Sequence, residues 1–261
     1  FYLHYLYNKQ RIIYVVHSFN ISQYFPKQQW LAKKMIDKAE AVVGVSKAIS
    51  EKINTTYNTQ KGVPIYNPSE PFTETEVSSA FSEKYILYLG RIEEKVKNFT
   101  LLLEGYKTSK LSESNVHLKI VGDGPDVDFV QQKIEEMGLN ETVTLYPFTS
   151  TILPYVKNAL YLTLTSRYEG FPMVLIEALS VGTPVLSVHC ESGPDEIISN
   201  EKNGLLIENH SVEALAEAMN RLAFDEELYK TCKENAPKSI SHLTMDAIAE
   251  KWATVLKNKQ P

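Results

Sequence analysis

Two glutamates eight residues apart stand in the stretch Ser166-Arg167-Tyr168-Glu169-Gly170-Phe171-Pro172-Met173-Val174-Leu175-Ile176-Glu177-Ala178. Carboxylates accept hydrogen bonds from hydroxyl groups, so a pair of them suits a sugar. On one continuous helix a separation of eight gives roughly two turns plus ~80°, which takes them off a common face. Pro172 removes the difficulty. It suits the first helical position, which leaves Glu169 in the loop before the helix and Glu177 inside it, on the face of Met173. Both then address one ligand at a helix N-terminus, where the amides of Met173 and Val174 add anion donors. Glu177 lies within an apolar run, and burying it alone would cost several kcal/mol, so a partner for it is expected.

Other candidates follow predicted strands. Gly90-Arg91 ends one strand, and Lys97 lies just before a helix. Two cations and helix-end amides suit a diphosphate; the alternative is a pair of surface cations on a loop. Gly122-Asp123-Gly124 invites a dinucleotide reading, but the third glycine that fingerprint needs is Val127. A tight strand-to-helix turn explains it better. Asp126-Val127-Asp128 is a DxD triplet of the metal-binding kind, yet it falls on a first helical turn, where acids favour the dipole anyway.

The elements that must position these residues alternate. In residues 11–66 the sequence predicts a buried strand at Arg11–Val16 and a helix at Lys27–Lys38 with an apolar stripe of Trp30, Leu31, Met35 and Ile36. A second strand at Ala41–Val45 precedes a helix capped by Ser46. A Pro/Thr/Glu/Ser-rich stretch, 69–82, reads as a linker. From 83 onward about six strand–helix units follow, a complete doubly wound lobe, and a last helix at Met245–Asn258. The domain reading is 1–68, a partial first lobe; 83–243, a complete second lobe; and 244–261, a helix crossing back to the first. Repeated units of this kind make a parallel sheet whose ligands sit at the carboxyl ends of its strands.

Composition narrows the class. The 261 residues are 43% hydrophobic and 23% charged, an ordinary globular balance that excludes a disordered or collagenous chain. No run approaches the ~18 apolar residues of a membrane span. Two cysteines make neither a disulfide framework nor a cysteine-based zinc site, and suit a reducing cytoplasm. Residues 1–64 hold nine lysines and arginines against three acids in a chain of net charge −5, so a basic lobe joins an acidic one. The opening Phe1-Tyr2-Leu3-His4-Tyr5-Leu6-Tyr7, with no initiator Met, reads as a piece of a longer protein.

Glu169 and Glu177 in their context resemble the E-x7-E signature of the group 1 (family 4) nucleotide-sugar glycosyltransferases. Arg91 and Lys97 resemble that family's diphosphate-binding pair. Ile120-Val121-Gly122-Asp123-Gly124-Pro125, Gly182-Thr183-Pro184-Val185, Gly193-Pro194-Asp195-Glu196-Ile197-Ile198 and Asn203-Gly204-Leu205-Leu206-Ile207 match its successive strands and turns. The resemblance is strong over 85–258 and weaker over 11–66. It implies an α/β GT-B fold, two Rossmann-like lobes with the first one partial, and transfer with retention of configuration. It also implies no metal and no cofactor beyond the nucleotide-sugar substrate, with UDP the favoured nucleotide.

By resemblance, His17, Arg91, Lys97 and Glu169 are the catalytic set. Gly90, Gly122, Gly170, Phe171, Met173, Val174 and Glu177 surround the donor. The expected partners are a nucleotide-sugar and a glycan or lipid-linked acceptor, with a peripheral membrane contact through the basic helix 27–38 at the inner face and no nucleic acid. The alternative is a nucleotide-sugar-binding fragment or partner subunit without turnover. An NAD-dependent oxidoreductase fails on the third glycine and leaves Glu177 unexplained.

Overall fold

A computed structural model describes residues 11–69, 72, 81–208 and 211–257. Most of the predicted linker, all of the opening aromatic stretch and Asn258 lie outside the described residues. The first lobe is a parallel sheet of β1 (Ile13–Val16), β2 (Ala41–Gly44) and β3 (Gly62–Pro64), with α1 (Gln29–Lys38) and α2 (Lys47–Tyr57) between the strands. Ser46 caps α2 as its sequence predicts, accepting from the Ile49 amide at 3.1 Å. β2 is fully buried, whereas three of the four β1 residues are only half-buried. The predicted apolar stripe of α1 is also displaced. Ala32 and Ile36 face the core, while Trp30 is 69% exposed.

The second lobe is a six-stranded parallel sheet in the order β6-β5-β4-β7-β8-β9. Its strands are β4 (Lys84–Leu89), β5 (Val116–Val121), β6 (Val143–Tyr146), β7 (Leu162–Leu164), β8 (Val185–Val188) and β9 (Gly204–Ile207). Its helices are α3 (Glu94–Lys97), α4 (Phe99–Thr108), α5 (Val127–Glu136), α6 (Leu153–Asn158), α7 (Met173–Ser180), α8 (Pro194–Ile197), α9 (Val212–Phe224) and α10 (Glu226–Ser239). Chain order runs outward from β4 to β6, then returns to β7 beside β4 and runs the other way. That reversal leaves a crevice between the ends of β4 and β7, the place where open α/β sheets hold ligands. The core is centred on β4, where Tyr85, Ile86, Leu87 and Tyr88 are fully buried.

Three local predictions need correction. The four-residue α3 was not expected. Pro172 stands at the cap of α7 rather than at its first helical position. The helix predicted from Pro194 lasts a single turn, because Ile198 is already extended. Both cysteines are free and buried, and burial pushes each thiol up to about 11.

The lobes meet along the crevice. The Glu196 carboxylate accepts from the amides of Lys47 (2.7 Å) and Ala48 (3.0 Å), so an acid on α8 caps α2 of the other lobe. Buried Ser46 and Ser192 share a hydrogen bond at 2.8 Å. Tyr66 stacks on Phe171 with centroids 4.8 Å apart. On the far side, α11 (Met245–Lys257) reaches the first lobe, where Arg11 donates to the Leu256 carbonyl at 2.6 Å and pairs with Glu40.

Candidate active site

Glycines let the strand ends close up. A Cβ on Gly122, at the end of β5, would lie 1.9 Å from the Gly90 carbonyl oxygen at the end of β4. The loop after Gly90 is laced to the next one by Ile92 N–H to Asp123 O (2.8 Å) and Asp126 N–H to Ile92 O (3.2 Å). Asp126, the first acid of the DxD triplet, accepts from the Glu94 amide at 2.7 Å and so starts α3. Its carboxylate is therefore part of the scaffold beneath Lys97.

Lys97 is anchored from two sides. Asn98 adopts a left-handed conformation (φ 56°) that separates α3 from α4. The fully buried Thr165, just past β7, donates to both the Lys97 carbonyl (2.9 Å) and the Asn98 carbonyl (3.1 Å). Arg167 adds a backbone bond to the Val96 carbonyl (2.8 Å) and a guanidinium bond to Asn98 Oδ1 (2.7 Å). The end of β7 thus clasps the segment that carries Lys97, and the Lys97 ammonium meets Glu169 Oε1 at 2.6 Å.

Arg91 stands differently. Its side chain is 68% exposed and lies 3.3 Å from Glu93. Arg91 and Lys97 therefore do not sit as a matched pair, because each holds a different carboxylate.

A cavity of about 310 Å³ opens over the ends of β4 and β5. Gly90, Arg91, Gly122, Val174, Glu177 and Phe148 line it. The partner expected for Glu177 is not supplied by protein. No donor among the described residues reaches its carboxylate, which borders the cavity instead, and burial raises its pKa. Phe148, 72% exposed at the rim, was not foreseen. It follows β6, so the rule of searching strand ends would have found it.

Glu169, Gly170 and His17 form a second group. A Cβ on Gly170 would lie 2.1 Å from the His17 carbonyl oxygen, so glycine is what allows the first lobe to come this close. The His17 side chain is exposed beside that contact, and its amide donates to the Tyr24 hydroxyl at 3.1 Å. Phe171 is enclosed. Its ring is 7% exposed and is covered by Tyr66, so it packs the lobe junction and does not line the cavity. Met173 and Val174 open the first turn of α7, with Val174 on the cavity wall. A larger cavity, about 760 Å³, opens among Ser69, Leu153, Ile240 and Met245, and its lining includes neither glutamate of the pair, nor Arg91, Lys97 or His17.

The site thus divides into a cavity over Glu177 and a charged cluster at Lys97 and Glu169, both at the strand-order reversal of a parallel sheet. Residues 72–239 match the model for glycosyl transferases group 1. The chain belongs to that family. The group 1 domain is similar to curated relatives that carry transferase names. The chain is 29% identical over 229 residues to the amylovoran biosynthesis glycosyltransferase AmsD of Erwinia amylovora, covering 84% of this chain and 62% of the relative. It is 30% identical over 207 residues to the lipopolysaccharide 1,6-galactosyltransferase of Salmonella typhimurium, covering 75% and 55%. The chain therefore spans about three fifths of the length of these relatives.

Among solved structures, HepE of Anabaena in complex with UDP superposes with a TM-score of 0.84 at 20% identity, covering 96% of this chain and 73% of that one. The Staphylococcus aureus TarM structure with Fondaparinux, alpha-GlcNAc-glycerol and UDP gives 0.83 at 24%, covering 95% and 51%. These likenesses show the GT-B fold.

Proposed function

We propose that this group 1 glycosyltransferase transfers a sugar from a nucleotide-sugar, with UDP as the nucleotide, to a glycan or lipid-linked acceptor in polysaccharide or glycoconjugate biosynthesis. The observation that carries this reading is Glu177. Its half-buried carboxylate has no protein partner among the described residues and borders a 310 Å³ cavity at the strand-order reversal. A ribose supplies the paired hydroxyl donors that such a carboxylate needs.

The reaction follows from the charges. Breaking the bond between the anomeric carbon and the diphosphate builds positive charge on the sugar and negative charge on the leaving group. Arg91, Lys97 and the amides of α7 stabilise the second as it grows, so the reading calls for no metal. Glu169 orients the sugar through its hydroxyls. His17 stands where the first lobe comes nearest to Glu169. The acceptor oxygen attacks from the face the diphosphate leaves, the leaving phosphate oxygen takes the acceptor's proton, and configuration is retained.

On the acceptor side, α1 and the Lys27 that precedes it present Trp30 together with Lys33, Lys34 and Lys38, a surface suited to an anionic membrane at its inner face. Among the described residues no helix is long and apolar enough to cross a membrane. The name of one relative, from Campylobacter jejuni, includes a diphospho-undecaprenol substrate, which supports a lipid-linked acceptor.

The test uses water as acceptor. UDP release from UDP-glucose, UDP-galactose and UDP-N-acetylglucosamine is followed, and the first-formed anomer is read by proton NMR. One donor should be hydrolysed slowly to the α-sugar. A β-sugar would overturn retention. Binding without release by the folded chain would favour a non-catalytic nucleotide-sugar-binding subunit.

A further inference from the structure

Lys97 and Glu169 lie 72 positions apart in sequence and meet at 2.6 Å, with 19% and 11% of their side chains exposed. The ammonium that would face a diphosphate holds a carboxylate counter-ion. The carboxylate that would face a sugar is already engaged. Neither mounting is loose. Thr165 holds the backbone carbonyls of Lys97 and Asn98, and Glu169 adjoins Gly170, which is pressed against the His17 carbonyl.

We infer that Glu169 is the resting counter-ion of Lys97, and that an arriving diphosphate displaces it and frees it to accept from sugar hydroxyls. This site then takes a sugar only when the sugar arrives joined to a diphosphate. The inference rests on the donor reading above and adds the discrimination against free sugars.

The physical basis is a competition for one ammonium. A diphosphate brings more charge and more acceptor oxygens than a carboxylate, so it wins Lys97. A free sugar offers neutral hydroxyls, which do not compete with an ammonium for Glu169. A nucleoside brings no charge to Lys97 at all.

The test is calorimetric titration of wild type, Glu169→Gln, Lys97→Met and the double variant. The ligands are UDP, GDP and ADP with their parent nucleosides, and circular dichroism checks each fold. Glu169→Gln removes the competing charge at nearly constant shape. It should bind the preferred diphosphate about five- to tenfold tighter than wild type, somewhat above the range of exposed ion pairs. Its affinity for the matching nucleoside should be unchanged. In the Lys97→Met background the same change should gain nothing, since the competition is gone.

Diphosphate binding by Glu169→Gln that is equal to or weaker than wild type overturns the inference. So does an equal gain for the nucleoside, or a gain that persists without Lys97. A folded wild type that binds none of the three diphosphates overturns the donor reading itself, which is a distinct result.

Discussion

Glu177 shows what single residues contribute. Its residue type and its place in an apolar run were legible in the sequence, and so was its need for a partner. That it borders a cavity was not, because the other walls come from Gly90, Gly122 and Phe148 on three other strand ends. Burial raises the Glu177 pKa, so the folded chain disfavours its charge. The stability cost of that charge is therefore absent below the ordinary carboxylate range and grows as pH rises through it. Glu177→Gln should raise stability at pH 7 by up to about 1 kcal/mol, with the gain fading toward pH 4. Thermal melts across that range check it, and a pH-independent difference would contradict it. The Lys97–Glu169 pair was hidden for another reason: each residue was recognisable, but nothing local joins two loops 72 positions apart.

At the scale of elements, strands were read well because buried β-branched runs are locally encoded. β4 stops at Leu89, immediately before the Gly90-Arg91 that the sequence places at a strand end. The face of α1 was misread, since its apolar positions are spread around the helix and its packing partners decide which are covered. The short α3 depends on Asp126 from another loop, so its own sequence carries no signal for it.

Lys119 of β5 is a similar case. It is 1% exposed, reaches Glu83 at 2.7 Å and lies 3.1 Å from the centre of the Phe81 ring. That ammonium holds the Glu83 carboxyl down at about 2. A depressed carboxylate pKa stabilises the fold above the unfolded value and loses that effect as pH falls toward 2. Glu83→Gln should therefore cost about 2 kcal/mol at pH 7, discounted for the partial exposure of Glu83, because it leaves a buried ammonium without its charge partner. The cost should shrink steadily below pH 5. Denaturant midpoints between pH 7 and pH 3 test this, and a penalty that stays constant across the range would refute it.

The molecule as a whole depends on how closely its lobes approach. Family membership and two parallel-sheet lobes were legible from spaced motifs, since each strand end carries its own turn chemistry. The junction was not. Glu196 looks like an acid for its own helix and instead caps α2 across the crevice. Gly170 touches the His17 carbonyl so closely that Gly170→Ala must part the lobes or shift a strand end. We expect that change to lower stability by about 1–3 kcal/mol. It should also increase the radius of gyration in small-angle scattering, and an unchanged melt and profile would show that the lobes are not in this contact in solution.

The most direct test of the donor site is calorimetric titration of the chain with UDP, GDP and ADP, repeated on Arg91→Ala and Glu177→Ala. One nucleotide, expected to be UDP, should bind selectively. The affinity should fall at least tenfold in each variant, as loss of a charged hydrogen-bond partner commonly requires. Absence of binding by the well-folded chain, or binding that neither variant disturbs, would contradict a donor site at the reversal point of the second sheet.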